Sequence, residues 1–232
     1  MSEGLWVYLA ASPLLWLTGT LVVWIIATHV ARLWPRNPIL NPILLSVCFM
    51  VLTLEVGNID YDTYFSGAQF IHFLLGPATV ALGIPLYEKL SLVKANLIPM
   101  LVALFVGSLT AVGSTLLLCR TFAFEPNVVA SLAPKSTTAA VAMAISIDLH
   151  GDAALTAAVV ILTGICGAIV VTPLMNAMRI RDYSARGFAV GLASHGIGTA
   201  RAYSVDPVAG LFSGIAMGLN AIVTSLIVHL FL

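Results

Sequence analysis

Charged residues are so sparse in this chain that long uncharged, largely apolar stretches run between them, at 4–31, 37–54, 63–87, 95–119, 153–178 and 207–232. A helix rises about 1.5 Å per residue and needs roughly 20 apolar residues to cross hydrocarbon, so these six stretches are long enough, or nearly so, to span a bilayer. Three others, 126–134, 136–147 and 187–200, are too short. Backbone polar groups need partners in lipid, so short or interrupted helices survive there only when buried in protein or lining a wet cavity. Such segments are the best sequence pointer to a transport site. The pattern predicts an all-α integral membrane protein with about six full transmembrane helices plus two broken or re-entrant helical hairpins. Residues 1–232 are read as a single polytopic membrane domain, with 1–36 a peripheral first span. The third stretch is expected to break at Gly76-Pro77 and again near Pro85.

Charge sets the expected orientation. The first stretch does not read as a cleavable signal peptide, because Glu3 precedes it without Lys or Arg while Arg32 and Arg36 follow it. Placing the N-terminus outside puts Arg32, Arg36, Lys89 and Lys94 in the cytoplasm under the positive-inside rule. If 126–148 enters and returns, Arg179, Arg181 and Arg186 also fall inside. Arg120 is then the one external base, and Lys135 and Arg201 lie within interrupted segments. The same logic lets 187–204 dip in from the cytoplasmic side. Two hairpins meeting from opposite faces describe an inverted-repeat, elevator-like transporter. The expected location is the bacterial cytoplasmic (inner) membrane.

Composition narrows the function. The chain is 60% hydrophobic and 9% charged, with a net charge of zero, so no basic stripe exists for a nucleic acid partner. Cys48, Cys119 and Cys166 are far apart within apolar runs and are read as reduced core residues rather than a metal or disulfide framework. No metal-ligand spacing, nucleophile elbow or carboxylate pair stands at a credible position, so an enzyme and a cofactor are not expected.

Two constellations carry chemistry. In Leu132-Ala133-Pro134-Lys135-Ser136-Thr137-Thr138, a proline at a helix start is followed by a lysine and three hydroxyls. A buried half-helix N-terminus offers free N–H donors and partial positive charge, and Lys135 adds a full one, which suits a small carboxylate. A charged residue within an apolar region is a functional hypothesis by default. In Ser194-His195-Gly196-Ile197-Gly198-Thr199-Ala200-Arg201, Gly196 and Gly198 permit a turn or a close approach, while His195 and Arg201 bring a titratable group and a fixed cation. No third glycine completes a dinucleotide fingerprint. Substrate contacts are therefore expected from Lys135, Ser136, Thr137, Thr138, Ser194, His195, Gly196, Gly198, Thr199 and Arg201.

Asn220 is expected to bond either to a neighbouring helix or to substrate. His195 and Glu55 are proton-coupling candidates, and His72 is read as a core histidine. Gly210, Gly214 and Gly218 form overlapping GxxxG units that allow close helix packing, internally or in a homodimer. Trp6 and Trp34 are read as belt residues at opposite faces of the first span.

At these same residues the chain resembles the LrgB/CidB family, also called the YohK or antiholin-like family. The likeness runs from about residue 38 onward. It is carried by Phe73-Leu74-Leu75-Gly76-Pro77-Ala78-Thr79, by Pro134-Lys135-Ser136, by Met178-Arg179-Ile180-Arg181 with Ala185-Arg186-Gly187, and by Ser194-His195-Gly196-Ile197-Gly198-Thr199-Ala200-Arg201. The resemblance implies a membrane protein working with a small LrgA/CidA-type membrane partner. It also implies either of two roles: a holin- or antiholin-like modulator of murein hydrolase export and autolysis, or a carrier of small monocarboxylates such as pyruvate, lactate, glycolate or glycerate. The family pattern after Pro-Lys-Ser commonly runs through an apolar residue, two threonines and a proline, whereas here it reads Thr137-Thr138-Ala139-Ala140. That departure bears on substrate identity. The anion-binding pattern favours the carrier, with the oligomeric, holin-like modulator as the alternative.

Overall fold

The computed structural model describes residues 12–33, 40, 42–81 and 83–232. Among them every regular element is an α-helix, and five helical stretches are long and apolar enough to cross a membrane. The expectation of an all-α membrane protein is met. The second charge-free stretch, 37–54, contributes Pro42–Gly57, which at 16 residues is shorter than a full span. Trp6, Trp34 and Arg36 lie outside the described residues.

The chain divides into two compact units, Met1–Gly83 and Ile84–Leu232. In the first, α1 (Pro13–Leu33) packs on α2 (Pro42–Gly57) and α3 (Tyr61–Phe73) around Trp16, Val23 and Met50. The Trp16 ring meets Tyr64 edge-on, with centroids 6.0 Å apart. Gly67 permits this crossing, since a Cβ there would sit 2.1 Å from the Pro13 carbonyl oxygen. The helix breaks at Leu74 before α4 (Leu75–Ala81), just ahead of the expected Gly76-Pro77, because proline without an N–H is tolerated in a first turn and not in a helix interior. Glu55 is exposed near the end of α2. His72 is not a core residue: it is exposed on α3, its ring edge-on to Phe65.

The second unit continues through α5 (Gly83–Glu88), α6 (Leu90–Ala95), α7 (Leu97–Thr121), α8 (Pro126–Leu132), α9 (Ala139–Asp148), α10 (Ala153–Ala177), α11 (Tyr183–Val205) and α12 (Pro207–Phe231). Packing fixes the directions of the long helices. Met100 and Leu104 of α7 share a cluster with Leu211, Phe212 and Ala216 of α12, and Val112 and Leu116 share another with Val228, so α7 and α12 are parallel. Thr156 of α10 lies by Ser146 near the α7 and α12 C-termini, while Val171 packs against the cluster of Val190, Ala202 and Ala209, so α10 runs the opposite way.

Between these three helices lie two hairpins entering from opposite ends. The first is α8 and α9, reversing at 133–138. Its arms close on each other where Ser131 Oγ accepts from the Asp152 N–H at 2.7 Å and Gly151 approaches Ser131. The second is α11. Its first arm runs alongside α12, with Gly187 against Ala209 and Gly191 against Ser213. Its second arm runs back, with Thr199 opposite Ser213 and Tyr203 opposite Gly210. The reversal falls at His195, whose φ of 41° and ψ of −132° interrupt the helix. The short segments predicted to re-enter therefore do reverse, each at its middle.

The cysteines are free, but Cys48 and Cys166 are exposed and Cys119 alone belongs to the core. Apolar helix faces need no water-free protein core when lipid can cover them, which is why an apolar run did not imply burial.

Candidate functional site

The two reversals meet at the middle of the second unit. The side-chain amide of Asn220, on α12, donates to the Ser136 carbonyl at 3.0 Å on one hairpin tip and to the Leu192 carbonyl at 3.1 Å on the other. Its Oδ1 accepts from Ser108 Oγ of α7 at 2.7 Å and from Thr224 Oγ1 at 2.9 Å. A carboxamide has two donor hydrogens and a two-lone-pair acceptor, so all four positions of Asn220 are used. It is a clasp between helices and has no capacity left for substrate.

At the first tip, Ser136 and Thr137 are buried and Lys135 and Thr138 half-buried. The turn is shaped by Pro134 and by Thr137 Oγ1 donating to the Pro134 carbonyl at 3.1 Å. Helix α9 then begins at Thr138 without any side-chain cap. Its first N–H groups thus face the middle of the bundle without a side-chain acceptor, beside a lysine that forms no ion pair among the described residues. Lys135 lies within electrostatic reach of the Cys119 thiol of α7.

At the second tip, His195 is buried, and its Nε2 stands 3.0 Å from the Val160 carbonyl of α10. A carbonyl only accepts, so Nε2 carries the proton and donates. Thr199 donates to the His195 carbonyl at 2.7 Å and pairs with Ser213 Oγ at 2.9 Å. Ser194 Oγ is buried without a hydrogen-bond partner. The tip is seated on two glycines of α10: a Cβ at Gly164 would lie 2.7 Å from His195 Cε1, and one at Gly167 would lie 1.7 Å from Ser194 Oγ. Gly198 serves the hairpin itself, facing Ser194 and Val190 of the opposite arm, while Gly196 is exposed at the tip. The return arm, residues 196–205, begins at its tip as α9 does. Two half-helix N-termini consequently point into the same mid-bundle region from opposite ends.

A cleft of about 330 Å³ lies between α7 and the first arm of the second hairpin. It runs from Asn96, Asp182 and Ser184 at the hairpin base to Gly107 and Leu192 by the tip, and most of its wall is apolar. Leu192 is the residue whose carbonyl Asn220 holds.

The structure thus brings Lys135, Ser136, Thr137, Thr138, Ser194, His195, Gly196, Gly198, Thr199 and Asn220 to one level of the bundle. Arg201 departs from the expectation. It lies well down the return arm, toward the hairpin base, and shares a small pocket with Arg186. Glu55 belongs to the other compact unit. Of the glycines on α12, Gly210 packs under Tyr203 within the protein, and Gly218 has open space around its Cβ position. The tight helix contacts come instead from Gly187 and Gly191, where a Cβ would meet the Ala209 and Ser213 carbonyl oxygens at 2.1 and 2.0 Å. That four-residue glycine spacing was visible in the sequence. The clasping partners Ser108 and Thr224 carried no comparable signal.

Comparison with known proteins gives the lineage. The family model described as "LrgB-like family" matches residues 20–232. Holin-like protein CidB of Staphylococcus aureus is 31% identical over 215 residues, 93% of each chain, and the protein of the same name from Staphylococcus epidermidis is 31% identical over 83% of this chain and 84% of its own. The uncharacterized protein YwbG of Bacillus subtilis is 33% identical over 88% of this chain and 91% of its own. No solved structure matches. With the match covering both hairpins and all the helices around them, this chain belongs to the LrgB-like family.

Proposed function

We propose that this protein is a secondary carrier for small monocarboxylates, the class of pyruvate, lactate, glycolate and glycerate, and not an enzyme. The observation that carries this reading is the uncapped N-terminus of α9 beside Lys135 at the meeting point of two hairpins. Free N–H donors, an unpaired ammonium group and buried hydroxyls form a setting that favours one small anion over bulk hydration. Ser136, Thr137 and Thr138 supply neighbouring hydroxyls. The Nε2 donor bond of His195 leaves its Nδ1 as the atom that takes up a proton, which makes His195 the coupling candidate. The apolar cleft ending at Leu192 provides a route to this level from one end of the bundle. The protein acts in the bacterial cytoplasmic membrane, with its N-terminus outside, as a homodimer and alongside a small LrgA/CidA-type membrane protein.

The test is uptake of labelled pyruvate, lactate, glycolate and glycerate into liposomes holding the purified protein, with and without a pH gradient. Saturable uptake of one of these acids that is lost in Lys135→Gln supports the carrier. Undiminished uptake by folded Lys135→Gln removes its centre.

A second reading, a holin-like modulator of autolysis acting through oligomers, is supported by the names of the Staphylococcus relatives. It requires assembly faces rather than a polar mid-bundle site. Half-buried Gly214 and open Gly218 on α12 are the positions to probe. Gly218→Leu is expected to change lysis and spare carboxylate flux if this reading holds.

A further inference from the structure

Arg186 and Arg201 come from opposite arms of the second hairpin and line one pocket at its base, with Thr172 and Met175 of α10 and Tyr183 beside them. The pocket has about 30 Å³ of free volume, room for one carboxylate or phosphate group rather than a whole metabolite. Arg186 is held in place: its Nε donates to the Ile180 carbonyl at 2.8 Å and its terminal nitrogen to Asn176 Oδ1. Arg201 makes only a long 3.4 Å contact, to Ser204 Oγ. Neither arginine has an acidic partner, since His229 and Asp148 form the only ion pair among the described residues. The residues lining the pocket include no carboxylate. Two arginines at the wall of one small space, neither with a counter-charge, give a shared oxyanion there two charge-assisted contacts.

We infer that this pocket is an oxyanion site that ties the two arms of the second hairpin together at their base, separate from the mid-bundle site and independent of the carboxylate reading. The oxyanion is either the phosphate of an anionic lipid headgroup or a free small oxyanion from water, and both offer the same oxygen chemistry to the two arginines. Positive charge at Arg179 and Arg181, in the turn just before the hairpin, draws either one toward it.

The experiment compares thermal unfolding of the purified protein in phosphatidylcholine nanodiscs under three conditions at matched ionic strength: no addition, phosphatidylglycerol in the disc, and inorganic phosphate in the buffer. One addition is expected to raise the unfolding temperature of the wild type, and which one does so identifies the source of the oxyanion. The Arg201→Gln variant is expected to bind it roughly tenfold more weakly. Arg186→Gln serves as a second variant, but it also removes the contacts to Ile180 and Asn176 and so can fail to fold. Arg201→Gln removes only the contact to Ser204 and keeps the test decisive. Absence of any shift in the wild type overturns the site, and so does an Arg201→Gln protein that responds as the wild type does.

Discussion

The carboxamide of Asn220 donates to the main-chain carbonyl of Ser136, 84 residues away, and that hydrogen bond ties the last long helix to the tip of the first hairpin. The same nitrogen holds Leu192, so one side chain sets the depth of both tips. Replacing it with leucine, of similar size, leaves the two carbonyls and the hydroxyls of Ser108 and Thr224 without this partner. Asn220→Leu is expected to lose on the order of 3 kcal/mol of stability, read as a fall in unfolding temperature in detergent, and to raise hydrogen exchange at residues 135–138 and 192–196 together. Exchange rising at one tip alone would show that the two are held separately.

The glycine contacts separate packing from permissiveness. Gly191→Ala drives a methyl group into the Ser213 carbonyl, an immovable backbone atom, and is expected to abolish or sharply reduce folded yield. Gly218→Ala meets nothing within 4 Å and is expected to be neutral in the isolated protein. Size-exclusion profiles of the two variants check the contrast.

At the tip of the second hairpin, Gly167→Ala puts a Cβ 1.7 Å from Ser194 Oγ and 2.9 Å from its Cβ, so Ser194 must turn away and the tip is expected to shift off α10. Such a shift is expected to break the His195–Val160 hydrogen bond. The imidazole of His195, followed by NMR in a labelled sample, is expected to change its tautomer signature in Gly167→Ala. An unchanged signature shows that the tip accommodates the methyl group without moving.

His229 and Asp148 pair at 2.9 Å across the open end of the first hairpin, and His229 Nδ1 also faces the Ser225 carbonyl at 2.7 Å. With acceptors on both sides, the ring serves both contacts fully only when both nitrogens carry hydrogen. The pair is exposed, so a double-mutant cycle with His229→Gln and Asp148→Asn is expected to give a coupling of no more than about 1 kcal/mol. A larger value would make this contact a principal fastener of the hairpin.

Asp182 caps the second hairpin by accepting from the Ala185 N–H at 2.8 Å, and that bond is the main reason its carboxyl lies below the usual carboxylate range. The sign follows from linkage. A depressed folded value contributes stability that is present above the unfolded value near ~3.9 and is lost as pH falls through the lower folded one. Asp182→Ala is expected to cost about 1 kcal/mol at neutral pH. Asp182→Asn keeps a cap without a charge, so its difference from wild type is expected to shrink on acidification in pH-resolved melts.

Much of this architecture was legible because lipid imposes simple rules. Charge-free length marked α7, α10 and α12 to within a few residues, and segments too short to cross marked both hairpins. The turn at the first tip was readable because Pro134 and Lys135 stand between two apolar segments that are each too short to cross. The role of Asn220 was not, because a lone amide on an apolar helix gives no clue to which carbonyls it will meet. Arg201 was misplaced because a chain that reverses at His195 carries residue 201 back toward the hairpin base, and the sequence shows no glycine at the reversing position. The α12 glycines looked like the packing motif, yet the close backbone approach is made by the glycines of the helix facing it.

The hairpins have a parity consequence. Each enters and leaves at the same end and adds no crossing, so only α7, α10 and α12 traverse the second unit. Three is odd, so the loop before Leu97 and the end of α12 must emerge on opposite sides of the bilayer, whichever side each one occupies. Reporters inserted beside Asn96 and fused after Leu232 will always disagree, and the arginine-rich turn between α10 and α11 will always side with Asn96.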